Sequence, residues 1–245
     1  MKKTNFVHRY TELSPAAIKS RIDKMLTARA AVNVSAAAVK FSSNRKLGAA
    51  VCSVSLIPGA DCANCAACIR GCYDLKHDVI YTNTILQRAN NSAIFLQDPD
   101  RYFSDIINHI EKKNIRFFRW HVGGDIKNAY YLARVIDIAR LFCSCQFLVF
   151  TKMYDLVNSW IDKNGALPEN LHLIFSDWKN IDMDNRHNLP VSSPVWFDNS
   201  GSEIARGSHT TAAAQWCGGF CEECAATGRG CWTVRQGETI LFEAH

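Results

Sequence analysis

Short runs that are apolar almost throughout, separated by segments of helical length, constrain this chain more than any other feature. The runs are residues 47–56 (LGAAVCSVSL), 115–122 (IRFFRWHV), 146–151 (QFLVFT), 171–176 (LHLIFS), 194–198 (PVWFD) and 239–243 (TILFE). A strand with one solvated face alternates apolar and polar residues. Runs without that alternation belong to strands covered on both sides, the condition of parallel strands flanked by helices. Between them the sequence predicts helices. Ser14-Pro15 reads as an N-cap and first helical position, opening a helix from Pro15 to about Val32. Residues 84–97 and 100–113 form two helices split at Asp98-Pro99, with Ile106, Ile107 and Ile110 on one face of the second. Asp125 caps a helix through about Phe142, and another runs from Tyr154 to Asp162, stopped by Gly165 and Pro168. This alternation predicts an α/β fold. A parallel (β/α) TIM-barrel-like arrangement, complete or incomplete, leads; a doubly wound open sheet is its alternative.

A chain of 245 residues that is 48% hydrophobic buries one large core. We expect one domain over residues 1–245, with a barrel-like part at 46–245 carrying cysteine-rich metal-binding loops and a helical N-terminal extension at 1–45. No stretch of membrane-spanning length is free of charge, and MKKTNFVHRYTELSP lacks the apolar core of a signal peptide. The expected compartment is the cytoplasm, where thiols stay reduced. The net charge of +5 permits nucleic-acid contact without demanding it, and no block of like charges marks a binding tail. The chain has no phosphate-cradling glycine loop, no G-x-S-x-G and no H-E-x-x-H.

Eight of the eleven cysteines fall into two groups. Cys62, Cys65, Cys68 and Cys72 are spaced C-x2-C-x2-C-x3-C; Cys217, Cys221, Cys224 and Cys231 are spaced C-x3-C-x2-C-x6-C. Reduced thiols this close read as ligands of a soft metal. The first spacing is that of the bacterial ferredoxin run, with Tyr73 in place of its proline, and points to one or two [4Fe-4S] centres. A structural zinc is the alternative, chiefly for the looser second group. Zinc ribbons separate their cysteine pairs by about fifteen residues. Four thiols within the DCANCAACIRGCY stretch favour a cubane instead. Trp216 and Trp232 bracket the second group and are expected to shield it from water. Cys52, in an apolar strand, reads as core packing. Cys143 and Cys145, at a helix end, read as packing too, with an extra ligand or reactive pair as the alternative.

The run IRFFRWHVGGD suggests a pocket. Alternation puts Phe118, Trp120 and Val122 on one face and Arg119, His121 and Gly123 on the other. A buried strand carries Arg and His on one face where that face lines a pocket or supplies partners. Asp125, Lys152 and Asp177 each follow an apolar strand, where barrel enzymes keep their chemistry. Arg119, His121, Asp125 and Lys152 are therefore the candidate catalytic residues. The plainer alternative makes Gly123-Gly124 a turn, Asp125 a cap and Arg119 half of a buried ion pair.

KLGAAVCSVSLIPGADC, CIRGCY, RWHVGGD, FLVFTK, LHLIFS, GFCEECAATGRGCW and ILFEAH together resemble the bacteriophage "gene product 88" domain family over about residues 46–245. The resemblance implies a phage-encoded protein working inside an infected bacterium, on a barrel-like fold with iron–sulfur centres. Those proteins look like distant relatives of radical S-adenosylmethionine barrels. Gly123-Gly124-Asp125 is similar to the glycine-glycine-acid element that holds that cofactor's amino group. The chain departs from the radical pattern, which is C-x3-C-x2-C after the first strand. Only Cys217, Cys221 and Cys224 have that spacing, near the C-terminus. Two functions remain open: redox or radical chemistry with an electron donor or host factor as partner, or a non-enzymatic metal-stabilised module contacting host protein or nucleic acid.

Overall fold

The computed structural model describes residues 10–42, 44, 46–77 and 82–244. Its centre is one eight-stranded sheet in the order β1-β2-β3-β4-β5-β8-β7, with β6 paired to β5 off that path. The strands are β1 (Val51–Val54), β2 (Phe117–Trp120), β3 (Gln146–Thr151), β4 (Leu171–Ser176), β5 (Val191–Phe197), β6 (Glu203–Arg206), β7 (Ala214–Trp216) and β8 (Thr239–Glu243). All pairings are parallel except β5 with β6. β1 and β7 end the path without pairing each other, so the sheet is barrel-like but open.

The helices are α1 (Pro15–Ala30), α2 (Tyr73–His77), α3 (Thr82–Gln97), α4 (Pro99–Lys113), α5 (Ala129–Leu141), α6 (Tyr154–Asn164) and α7 (Cys221–Thr227). Local chemistry sets several of their starts. Ser14 Oγ accepts from Ala17 N at 3.2 Å ahead of Pro15. Asp98 accepts from Arg101 N at 3.1 Å ahead of Pro99, dividing α3 from α4 as expected. α5 departs from expectation. Its cap is Asn128, whose Oδ1 accepts from Tyr131 N at 2.9 Å, while Asp125 lies before the helix with other partners. β1 and β2 are also shorter than their apolar runs. Residues 46–50 form a turn, and His121 leaves β2 with a left-handed φ of 53°.

Each face of the sheet has its own core. Val54, Phe118, Trp120, Phe147, Val149, Leu173 and Phe175 pack under α4, α5 and α6 as the larger one. The opposite face, here the inner face, is Val51, Phe117, Leu148, Phe150, Ile174 and Ile240, and the second cysteine group packs against it. Pairing Ser53 with Arg119, and Arg119 with Leu148, places Arg119 on that inner face. α1 packs with Leu75 and Ile85 and with Ile57, Ile69 and Cys72 of the first cysteine loop. The N-terminal helix is thus joined to that loop.

Candidate metal centres and the residues between them

The first cysteine group sits on the loop that follows β1, at the C-terminal ends of the strands. Asp61, 1% exposed, anchors that loop. Its carboxylate accepts from Ile57 N at 2.9 Å and Lys127 Nζ at 3.1 Å, with Arg29 at 4.0 Å. Gly59 N donates to Cys62 Sγ at 3.4 Å, and Cys65 Sγ lies 3.6 Å from Gly59 O. Asn64 ties the loop to β3 by donating to Lys152 O at 3.0 Å. Burial, then the neighbouring Asp125, pushes the Cys62 thiol well up. Burial, then Asp74, raises Cys72 to about 12. The neighbouring Cys68 adds to the rise at Cys62, Cys65 and Cys72.

The second group lies at the N-terminal ends of the same strands. Cys217 N donates to Leu241 O at 2.7 Å beside β8, and Cys221 N donates to Lys46 O at 2.8 Å ahead of β1. Glu222 fastens α7 by accepting from Ala49 N and Ala50 N, both at 3.0 Å. All four thiols, with Leu148, Ile240 and Trp232, line one small cavity. Gly230 keeps the turn close, since a Cβ there would stand 3.1 Å from Cys224 Sγ. Burial, then Cys217, pushes Cys231 up to about 12. Trp232 is buried edge-on to Phe117 at 5.1 Å. Trp216 does not shield the group as expected: it is 53% exposed and lies against Phe197.

Every described cysteine is a free thiol. Cys145 is buried, Cys52 is half-buried and Cys143 is exposed, and none of the three belongs to either group. Among the described residues, no three His, Cys, Asp or Glu side chains are drawn together tightly enough to hold a single metal ion.

The pocket expected around Arg119, His121, Asp125 and Lys152 is divided. The positive φ at His121 breaks the alternation of β2. Its imidazole turns to the helical side, with Nε2 2.8 Å from Tyr131 Oη on α5. Val122 goes to the inner face instead. His121 and Arg119 therefore do not share a face. Arg119 stays with the second group. Its guanidinium lies 5.0 Å from the Phe150 ring centre. Burial opposes its charge, yet Tyr73, Cys221 and Cys231 hold its pKa above the ordinary value. Asp125 and Lys152 join the first group. Asp125 accepts from Lys152 N at 2.9 Å and Ile126 N at 2.7 Å, while burial raises its pKa. Lys152 Nζ donates to Ser176 Oγ at 2.7 Å, and its charge reaches Cys65.

Gly123 and Gly124 are enclosed by the chain itself. A Cβ on Gly123 would meet Asp74 Oδ2 at 1.9 Å, and one on Gly124 would meet Leu56 Cβ at 2.8 Å. Sequence reasoning singled out Tyr73 only as the residue in the proline's place, and it missed Asp61 and His209. Asp61 stands directly before Cys62, and that position was the available signal. Tyr73, next to Cys72, donates its hydroxyl to Val122 O at 2.6 Å and reaches toward Arg119. His209 Nδ1 lies 3.1 Å from Asp177 Oδ1, and its exposed segment carries no pattern that announces the contact.

The fold and its thiols define a class: an open parallel α/β sheet with a cysteine-rich loop after its first strand and a second cysteine group packed on its inner face. The chain belongs to the Gene product 88 family, a phage family whose model matches residues 23–196. The match begins inside α1 and ends in β5. It takes in the first cysteine group, Arg119, Asp125 and Lys152 and leaves out the second group, unlike the span of 46–245 expected from the motifs. No curated protein and no solved structure matches the chain.

Proposed function

We propose that this is an iron–sulfur protein of the infected bacterial cell, in which Cys62, Cys65, Cys68 and Cys72 hold one [4Fe-4S] centre and Cys217, Cys221, Cys224 and Cys231 hold another. The observation that carries the reading is the cavity lined by all four thiols of the second group. The first group adds its ferredoxin-like spacing on a single loop. Four thiolates of a cubane each bind a different iron. Four cysteine ligands close a cubane, so the role these groups suit is electron transfer. The bound centres would supply a reversible one-electron couple. The chain's part is to supply thiolates, exclude water and surround each centre with fixed charge.

A second reading rests on Asp125 and Lys152, which lie beside the first group at the C-terminal strand ends. Carboxylate and ammonium there suit a zwitterionic small molecule such as S-adenosylmethionine, provided that one iron is left open. The non-enzymatic alternative is zinc at the second group in a module contacting host protein or nucleic acid.

Anaerobic purification with iron and sulfide analysis tests the proposal. A brown protein with matched iron and sulfide and broad visible absorbance is expected. A colourless protein containing only zinc would overturn it. Calorimetric titration of the iron-loaded protein with S-adenosylmethionine separates the two iron–sulfur readings, binding supporting the second.

A further inference from the structure

Arg119 stands on an inner face otherwise built from Val51, Leu148, Phe150, Ile174 and Ile240. Its Nε is buried and has no hydrogen-bond partner. The residue as a whole is half-buried, and a guanidinium drawn partly out of water favours a counter-charge beside it. Among the described residues no carboxylate forms an ion pair with it. Its surroundings are Cys221, Cys231, Tyr73 and the Phe150 ring. Protonated thiols are neutral and do not balance a guanidinium. Four metal-bound thiolates give a centre of net negative charge. Around the other group the buried charges are matched: Asp61 pairs with Lys127 at 3.1 Å, Asp74 pairs with Arg88, and Asp125 accepts from Lys152 N at 2.9 Å.

We propose that Arg119 is the built-in counter-cation of the centre held by Cys217, Cys221, Cys224 and Cys231, and that it sets this centre's reduction potential above that of the first group's centre. The proposal rests on the iron–sulfur reading of both groups. Reduction adds one negative charge to a centre, and a fixed cation beside it stabilises that reduced form most. Electrons would therefore run from the first centre, among matched charges, toward the second, beside Arg119. Tyr73 follows Cys72 in sequence and reaches Arg119 in space, so it spans the interval between the two groups.

The test is a redox titration of the iron-loaded full chain, followed by electron paramagnetic resonance. Two reduction steps are expected in the wild type, with Cys217→Ser removing the higher one. In Arg119→Gln the higher step should move to lower potential while the other stays in place. Arg119→Lys keeps the charge and should leave the higher step near its wild-type position. Should Arg119→Gln not retain its iron, the same comparison is read from Arg119→Met, which keeps an unbranched chain without the charge and should lower the same step. An unshifted higher step in a variant that retains both centres, or a shift of the lower step alone, overturns the proposal and leaves the iron–sulfur reading intact. A wild type without iron overturns both.

Discussion

His121 takes a φ of 53° where β2 ends, and that one angle decides which core its imidazole joins. Burial first, and the charge of Arg119 second, push its pKa down from 6.5 to about 3. The folded protein thus holds this ring neutral, bonded to Tyr131, while an unfolded chain takes up a proton below 6.5. The unfolded state binds more protons in that window, so stability falls as pH drops from 6.5 toward 3. The slope from this one group is about 1.4 kcal/mol per pH unit. Thermal melts through the acid range should show a shallower loss for His121→Gln than for wild type. Equal slopes would contradict the neutral buried imidazole. In the first cysteine loop, Asp61→Ala should loosen the chain by removing the carboxylate partner of Lys127. The expected cost is about 3 kcal/mol, read as a lower melting temperature together with weaker iron retention at the first group.

Among the elements, α5 and the Gly123-Gly124 turn give the sharpest contrast. Asn128→Ala removes the true cap of α5 and should cost about 1 kcal/mol in thermal unfolding. Gly123→Ala should cost more, about 1–3 kcal/mol, because the new methyl group meets the Asp74 carboxylate that pairs with buried Arg88. A variant as stable as wild type would mean that Asp74 yields without loss. The same elements show what the sequence made legible. β3, β4 and β8 match their apolar runs because both of their faces are covered, and the α3–α4 division matches because Asp98-Pro99 caps the second helix. β6 and β7 lie on the exposed margin of the sheet, where no apolar run forms. Strict alternation placed Arg119 and His121 together, and it failed at the single residue that leaves the extended conformation. Asp125 resembled a cap by position. Its carboxylate instead bridges to the backbone of Lys152, a contact between distant residues that no local pattern encodes.

Across the whole molecule, cysteine spacing announced two groups but not their arrangement. The placement of the second group against the inner face depends on the segment after β5. That segment returns to pair β7 and β8 with the sheet and carries α7 back to the start of β1. Pairings of this range are written in no local stretch of sequence. The helices cover one face, and the other is left to the cysteine loops, with Arg119 between them. The central claim is that these are two independent iron–sulfur centres. Iron and sulfide per chain, measured anaerobically on the wild type, on a Cys62→Ser/Cys65→Ser variant and on a Cys217→Ser/Cys221→Ser variant, tests it most directly. About eight irons and eight sulfides are predicted for the wild type and about four of each for either variant. Loss of all iron from one variant, with an unchanged content in the other, would contradict two independent centres.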